Sequence, residues 1–277
     1  MLLKGRVAFI TGGAQGMGRA IALKFAEQGC SVALADLRLE RARQTADEIV
    51  AAGAQAIALQ ADISRSAEVN AAVERAAERF GRIDVLVNAA GGVAGMEGNG
   101  SSDSITEGDW DRVINLNLKG SFLVTMAVLP HMKRQQQGKI IFISSMGAIN
   151  PSVSVLHYHA AKAGVMGLAL NLAFELAPRN IHVNTIVPGP IQTTFWDNLM
   201  PPGPERDAFF QAMAKKEVPM ERMGTADDIA GPALFLASDL SNYMTGGVLN
   251  VGGGLPLLSR GGTFDIQGYF ESLREAR

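Results

Sequence analysis

The feature that most narrows what this chain can fold into is a regular alternation of short apolar runs with longer helical patterns. Runs with strand character fall at 6–11, 31–36, 56–61, 85–88, 139–144, 182–186 and 248–251. Helical patterns fill the gaps at 16–28, 39–52, 66–80, 107–136, 158–178 and 225–237. Several of the strands are apolar throughout rather than every second residue, as expected when helices cover both faces of a parallel sheet. The alternation with right-handed crossovers predicts an α/β fold, a doubly wound parallel sheet of about seven strands with helices on both faces. Over 277 residues, 47% of them hydrophobic, no composition break marks a second core and no repeat appears. One domain is expected over 1–254, with a lid at 194–223 and a C-terminal tail at 255–277. The lid contains Pro-Pro-Gly-Pro and then a helical pattern at 205–216. The tail carries Phe264, Ile266, Tyr269 and Phe270, apolar enough to pack on the domain or on a neighbouring subunit. A Gly-, Ser- and Asn-rich stretch at 91–103 is expected to be a mobile loop.

The first strand runs into Thr11-Gly12-Gly13-Ala14-Gln15-Gly16-Met17-Gly18 and then an amphipathic helix. Glycines there permit a tight strand-to-helix turn and a close backbone approach to a pyrophosphate at the helix N-terminus. A glycine turn without a ligand is the plain alternative, and the absence of Gly-x4-Gly-Lys-Ser/Thr disfavours a nucleotide kinase. The second strand ends in Asp36, eighteen residues beyond Gly18. A carboxylate there accepts both hydroxyls of an adenosine ribose and repels a 2′-phosphate, which favours NAD over NADP. Arg38 pulls the other way, but neither Gln15 nor Leu37 is basic. Asp62 and Ile63 after strand three are placed to flank an adenine, although Asp62 equally suits a turn cap. Asn88, Ala89 and Gly91 after strand four bring backbone near the middle of the cofactor.

The second constellation is Tyr158-His-Ala-Ala-Lys162, with Ser145 thirteen residues before the tyrosine. Residues four apart on a helix share a face, so the lysine can stabilise a tyrosinate. Drawing a tyrosine from its usual pKa of about 10 to about 7 takes roughly 4 kcal/mol. Ser144 is a rival hydroxyl to Ser145. His157 and His159 flank the tyrosine but point in nearly opposite directions on a helix, which makes them a poor chelating pair.

With these residues in view, the chain resembles the short-chain dehydrogenase/reductase family, over residues 4–254. The markers are Thr-Gly-x3-Gly-x-Gly at 11–18, Asn-Ala-Ala-Gly at 88–91, Asn117, Ser145, Tyr158-x3-Lys162 and Pro188-Gly189. Ala89, in place of a second asparagine, and His159, in place of a small residue, depart from the family pattern. So do the lid and the tail, which bear on substrate choice. The resemblance implies a Rossmann-type fold and hydride transfer between a nicotinamide and a carbinol carbon, with Tyr158 as general acid/base. It implies that Ser145 holds the substrate oxygen, and that Lys162 lowers the Tyr158 pKa and holds the nicotinamide ribose. Asn117, rather than Asn115, would anchor a water that relays protons to Lys162. Pro188, Gly189 and Ile191 would form the wall beside the nicotinamide, with Thr193, rather than Thr194, on its carboxamide. A homotetramer is implied as well.

Several classes are disfavoured. A net charge of −2 with no basic stripe argues against a nucleic-acid partner. Cys30 is the only cysteine, so no intrachain disulfide forms and a reducing, cytoplasmic setting is expected. The N-terminus lacks the apolar core of a signal peptide, and the apolar helix at 163–177, interrupted by Asn171 and Glu175, is too short to cross a bilayer. No ligand cluster calls for a metal. The leading expectation is an NAD-dependent alcohol dehydrogenase or ketone reductase acting on a small-molecule substrate. Phe195, Trp196, Leu199, Met200, Phe209 and Phe210 in the lid favour a moderately large apolar or cyclic one, and Met146 adds to such a pocket. The alternatives are an NADPH-dependent 3-oxoacyl thioester reductase, against which Asp36 argues, and a non-catalytic nucleotide sensor, against which an intact Ser145, Tyr158 and Lys162 argue.

Overall fold

The computed structural model describes residues 1–93, 100–152 and 154–255. Seven strands, β1 (Val7–Thr11), β2 (Ser31–Asp36), β3 (Ala56–Gln60), β4 (Val85–Asn88), β5 (Gly138–Ile143), β6 (Ile181–Pro188) and β7 (Val248–Val251), form one parallel sheet. The strand order is β3-β2-β1-β4-β5-β6-β7. The chain winds outward in one direction from β1 to β3 and in the other from β4 to β7. The switch therefore lies between β1 and β4, where open α/β sheets bind ligands beyond the strand carboxyl ends. Thr11 stands in register with Ala35 and with Asn88, which brings three strand ends to one edge.

Both faces are covered. Ala8, Ile10, Val32, Leu34, Val85 and Val87 point to one side, against α1 (Gly16–Glu27), α2 (Leu39–Ala51) and α8 (Ala226–Ala237). The alternate residues Phe9, Ala33, Leu86 and Phe142 point to the other, against α3 (Ser66–Phe80), α5 (Gly120–Gln135) and α6 (Leu156–Leu176). This period-two division between two apolar layers is why the strands read as continuous apolar runs. The segment expected to be a lid holds a 3-10 turn (Thr194–Asn198) and α7 (Pro204–Glu217). It has its own apolar cluster of Trp196, Met200, Phe209, Phe210, Met213 and Met223.

The expected helix at 107–136 is divided. α4 (Glu107–Ile114) starts at a reciprocal cap in which Thr106 and Asp109 exchange hydrogen bonds, and a π-helical turn (Asn115–Lys119) separates it from α5. Such turns recur at functional sites because they re-aim one side chain inward, and here that residue is the buried Asn117. The second apolar helix extends beyond the apolar stretch at 163–177. Glu107–Gln135 and Leu156–Arg179 are both long and apolar enough to cross a membrane by length and composition. Their apolar content is accounted for by packing, since α5 and α6 supply Val124, Val128, Val165, Ala169 and Leu172 to the core beside the sheet. The tail expectation, and the loop expectation at 94–99, lie outside the described residues.

Candidate active site

A cleft of about 650 Å³ opens along the carboxyl edge of the sheet. The glycine turn after β1, the ends of β2, β4 and β5, the first turns of α6 and the 3-10 turn at Thr194–Asn198 all contribute to its walls.

At one end the backbone makes a cradle. Gly12 has φ +70, and a Cβ there would lie 2.9 Å from Ala90 Cα; at Gly18 it would lie 2.3 Å from the Gly12 carbonyl oxygen. Only glycine fits either position. Gln15, Gly16 and Met17 line the same stretch, and Gln15 Oε1 accepts a hydrogen bond from Arg41 at 3.0 Å. α1 begins with no side-chain cap among the described residues and no acid in its first turn, which leaves its amide groups open to an anion. Asp36, only 7% exposed, lines the cleft beside them. Its carboxylate accepts from the amides of Ala14 at 3.1 Å and Arg38 at 2.9 Å, with Arg38 Nε 3.9 Å away. Cradle, open helix end and strand-end carboxylate together fit a dinucleotide: the glycines and α1 would hold its pyrophosphate and Asp36 its adenosine ribose.

At the other end Ser145, Tyr158 and Lys162 meet. The two serines after β5 are used differently. Ser144 Oγ donates to the Lys162 carbonyl at 2.8 Å, whereas Ser145 Oγ accepts from the Gly147 amide at 3.1 Å and stays in the cleft wall. Val155, just before α6, has φ +54, a conformation costing a β-branched residue about 1–2 kcal/mol. Tyr158 is half-buried, its ring 5.4 Å from that of Phe195. Burial acts against the stabilisation of a tyrosinate that Lys162 is expected to give. Burial pushes the tyrosine hydroxyl up to about 12, against an opposing hydrogen bond from Ser145. Burial likewise pushes Lys162 down to about 8. Lys162 Nζ donates to the Ile143 carbonyl at 2.9 Å and lies over the tyrosine ring, 5.5 Å from its centroid.

Asn117 stands behind this centre, fully buried. Its Nδ2 donates to the carbonyls of Gly92 at 2.8 Å and Val113 at 2.9 Å, and its Oδ1 accepts from the Gly92 amide at 3.0 Å. The side chain holds the 91–92 backbone. Gly91 is thereby pressed close, so that a Cβ on it would lie 2.5 Å from Asn117 Oδ1 and 3.0 Å from Lys162 Nζ. Asn88 is also buried behind the wall, its Nδ2 donating to Thr125 Oγ1 at 3.1 Å, while Ala89 and Gly91 do line the cleft. Asp62 lines the cleft and also caps a turn, accepting from Ser64 N at 2.9 Å and Ser64 Oγ at 2.7 Å. Leu37, Ile63, Pro188, Gly189, Ile191 and both Thr193 and Thr194 are in the walls. Thr193 packs on the glycine turn, 3.5 Å from where a Cβ on Gly16 would stand.

Of the two histidines, His159 lines the cleft and packs on Gly147, while His157 is buried. Glu217, at the end of α7, and Asn150 line the cleft without having been singled out from the sequence. Neither carries a local pattern, and only the fold brings them there.

Comparison with known proteins agrees with this arrangement. The family model described as enoyl-(acyl carrier protein) reductase matches residues 12–256. The chain is 43% identical over 259 residues to the (2S)-[(R)-hydroxy(phenyl)methyl]succinyl-CoA dehydrogenase subunit BbsD of Thauera aromatica, covering 94% of this chain and 100% of that one. It is 38% identical over 255 residues to the 3-oxoacyl-[acyl-carrier-protein] reductase FabG of Thermotoga maritima, covering 92% and 99%. Among solved structures, that of levodione reductase superposes with a TM-score of 0.85 at 34% identity, covering 91% of this chain and 98% of the other.

Proposed function

We propose, from the premise that the chain belongs to the short-chain dehydrogenase/reductase family, that it interconverts a secondary alcohol and a ketone with NAD. The observation carrying this is the meeting of Ser145, Tyr158 and Lys162 in the same cleft as the glycine cradle and Asp36. The chemistry a bound nicotinamide supplies is exchange of hydride with the carbinol carbon. In oxidation, Tyr158 Oη takes the proton of the substrate hydroxyl, and in reduction it returns one to the carbonyl oxygen. Ser145 Oγ holds that same oxygen and favours its developing negative charge. Lys162, pinned by Ile143 and flanked by Gly91, fixes the tyrosine ring from below and lends positive charge as Tyr158 ionises.

Asp36 supports NAD over NADP, since a 2′-phosphate would meet a carboxylate already held by two amides. The aromatic wall of Phe195 and Trp196 supports a moderately large apolar or cyclic substrate. Exposed apolar residues on α4, α5 and α6 (Trp110, Phe122, Leu156 and Phe174), together with Tyr243 ahead of β7, support association between copies, and so a homotetramer. The single, buried cysteine suits a reducing, cytoplasmic setting.

A second reading, reduction of a 3-oxoacyl thioester with NADPH, is favoured by one observation: both relatives above carry names that specify acyl thioesters. The two readings separate in one experiment. Formation of reduced cofactor is followed over cyclic, aryl, steroidal and β-hydroxyacyl alcohols with NAD⁺ and with NADP⁺, with Tyr158→Phe as control. Turnover of a cyclic or aryl alcohol with NAD⁺, lost in the variant, is expected. Turnover confined to β-hydroxyacyl thioesters with NADP⁺ would establish the second reading instead.

A further inference from the structure

We propose that Glu217 is the polar anchor of the substrate end of the cleft. It accepts a hydrogen bond from a hydroxyl or ammonium group that the substrate carries away from its reacting carbon. The inference rests on the alcohol/ketone reading above and adds to it a chemical feature of the substrate.

Glu217 is the last residue of α7 and lines the cleft. Its side chain is 15% exposed, and Oε1 is buried with no hydrogen-bond partner among the described residues. The ion pair it does make is loose: Lys216 Nζ lies 3.9 Å away on a side chain that is 48% exposed, where solvent screens the attraction. The carboxylate is neither a helix cap nor half of a buried pair. The wall it shares is apolar, with Phe195, Trp196, Leu199 and Met213 among its neighbours in the lining.

Its position is at the reacting end. The next residue, Val218, packs on the turn after β7, since a Cβ on Gly253 would lie 2.6 Å from Val218 Cγ1. The same turn touches the wall after β6, where a Cβ on Gly189 would lie 2.6 Å from Gly252 Cα. It also touches Met146, 3.4 Å from where a Cβ on Gly252 would stand. Glu217 is thus tied to the wall beside Ser145 rather than to the adenosine end at Asp36.

A carboxylate drawn away from water, with an unfilled acceptor and apolar neighbours, is complemented by a donor. No donor among the described residues fills it, and the complement is assigned to the ligand. The sign of the charge makes the selection: a neutral hydroxyl or an ammonium is accepted, and a substrate carboxylate at that place is repelled.

The test uses the full-length protein with NAD⁺ and α-methylbenzyl alcohol beside its para-hydroxy, para-aminomethyl and para-carboxy derivatives, together with a steroid mono-ol and diol for longer reach. Wild type is expected to favour the hydroxylated partner on at least one scaffold by about 10- to 100-fold in kcat/KM, the ratio a charge-assisted hydrogen bond produces. The carboxylated partner is expected to fall below the parent. In Glu217→Leu the hydroxyl ratio is expected to fall near one. Glu217→Gln, which keeps the size and an acceptor oxygen, is expected to retain preference for the hydroxyl and lose that for the ammonium. Affinities of the same compounds are read in parallel from tryptophan fluorescence, Trp196 being in the cleft wall. Absence of turnover throughout would sink the alcohol/ketone reading, and the fluorescence affinities would still decide Glu217. Equal preference in wild type on every scaffold, or a preference that Glu217→Leu leaves intact, overturns the inference.

Discussion

The Ser144 hydroxyl donates to the Lys162 carbonyl at 2.8 Å, which ties the end of β5 to the second turn of α6. Two adjacent serines are thereby given different tasks. Ser144 holds the strand to the helix that carries Tyr158 and Lys162, and Ser145 presents its oxygen to the cleft. Ser145→Ala is expected to lower kcat about 100- to 1,000-fold with little change in stability, as loss of one donor to a developing oxyanion does. Ser144→Ala is expected to cost about 1 kcal/mol of stability through loss of this one buried hydrogen bond. Steady-state kinetics and urea unfolding of the two variants separate these effects. The opposite pattern would make Ser144 the substrate-binding hydroxyl.

The pH dependence follows from the state of Tyr158. Burial pushes its hydroxyl up to about 12, so near neutrality it holds its proton. Alcohol oxidation needs the tyrosinate and ketone reduction needs the protonated form. Oxidation is therefore expected to rise about tenfold per pH unit on the alkaline side of 7 until the tyrosine titrates, while reduction stays level and then falls. Profiles of kcat/KM in both directions test this. An oxidation rate that is flat across that range would mean either that Tyr158 is already ionised near neutrality, Lys162 outweighing burial, or that another group takes the proton, and loss of the rate in Tyr158→Phe would decide for the first.

Much of this site was legible in the chain because its signals are local. The glycine turn, the strand-end Asp36 and the Tyr158–Lys162 pair each depend on residues a turn or a strand apart, so spacing alone places them on one edge. What was not legible depends on three-dimensional neighbours. The upward push on Tyr158 comes from burial, and Lys162 Nζ also donates to the Ile143 carbonyl; a four-residue spacing reports neither. The break of the 107–136 helix at Asn115–Lys119 comes from an inward Asn117 clamped to Gly92, a contact twenty-five residues away in sequence. Asn88 reads from its strand-end position only as bringing backbone toward a cofactor, and the bond of its side-chain amide to Thr125 beneath the wall is a contact thirty-seven residues away that no spacing reports. Glu217 has no motif at all.

Gly91 offers a sharper test of how the centre is held. A methyl group there would lie 2.5 Å from Asn117 Oδ1 and 3.0 Å from Lys162 Nζ, so Gly91→Ala must displace one or both. A displacement of about 1 Å at a catalytic group costs on the order of 100-fold in rate. That loss is expected in kcat with a smaller change in cofactor affinity. Gly167→Ala, in the open on α6 with nothing within 4 Å of the added carbon, serves as the control. It is expected to keep activity and to gain up to about 1 kcal/mol of stability from better helix propensity. Full activity in Gly91→Ala would mean that the 91–92 backbone does not hold Lys162 in place.

Far from the cleft, the start of β5 buries a charge whose cost sets a second pH dependence. Lys139 is 4% exposed, with its Nζ 3.0 Å from Asn242 Oδ1, 3.2 Å from His182 Nδ1 and 3.4 Å from Ser241 Oγ. Burial pushes its pKa down to about 8, with the positive charge of Arg6 acting in the same direction and Asp239 opposing. In the unfolded chain a lysine titrates near 10.4. Between those values the unfolded chain binds a proton that the folded chain does not, so folding stability rises with pH from about 8 to about 10.4 on this account. Lys139→Met removes the titrating group and is expected to flatten that part of the profile, even where the loss of contacts to His182 and Asn242 lowers stability overall. Urea unfolding of both proteins at intervals across that range measures the difference in slope. Parallel profiles would mean that Lys139 keeps its charge in the folded state, stabilised by Asp239 and the surrounding oxygens more than burial disfavours it.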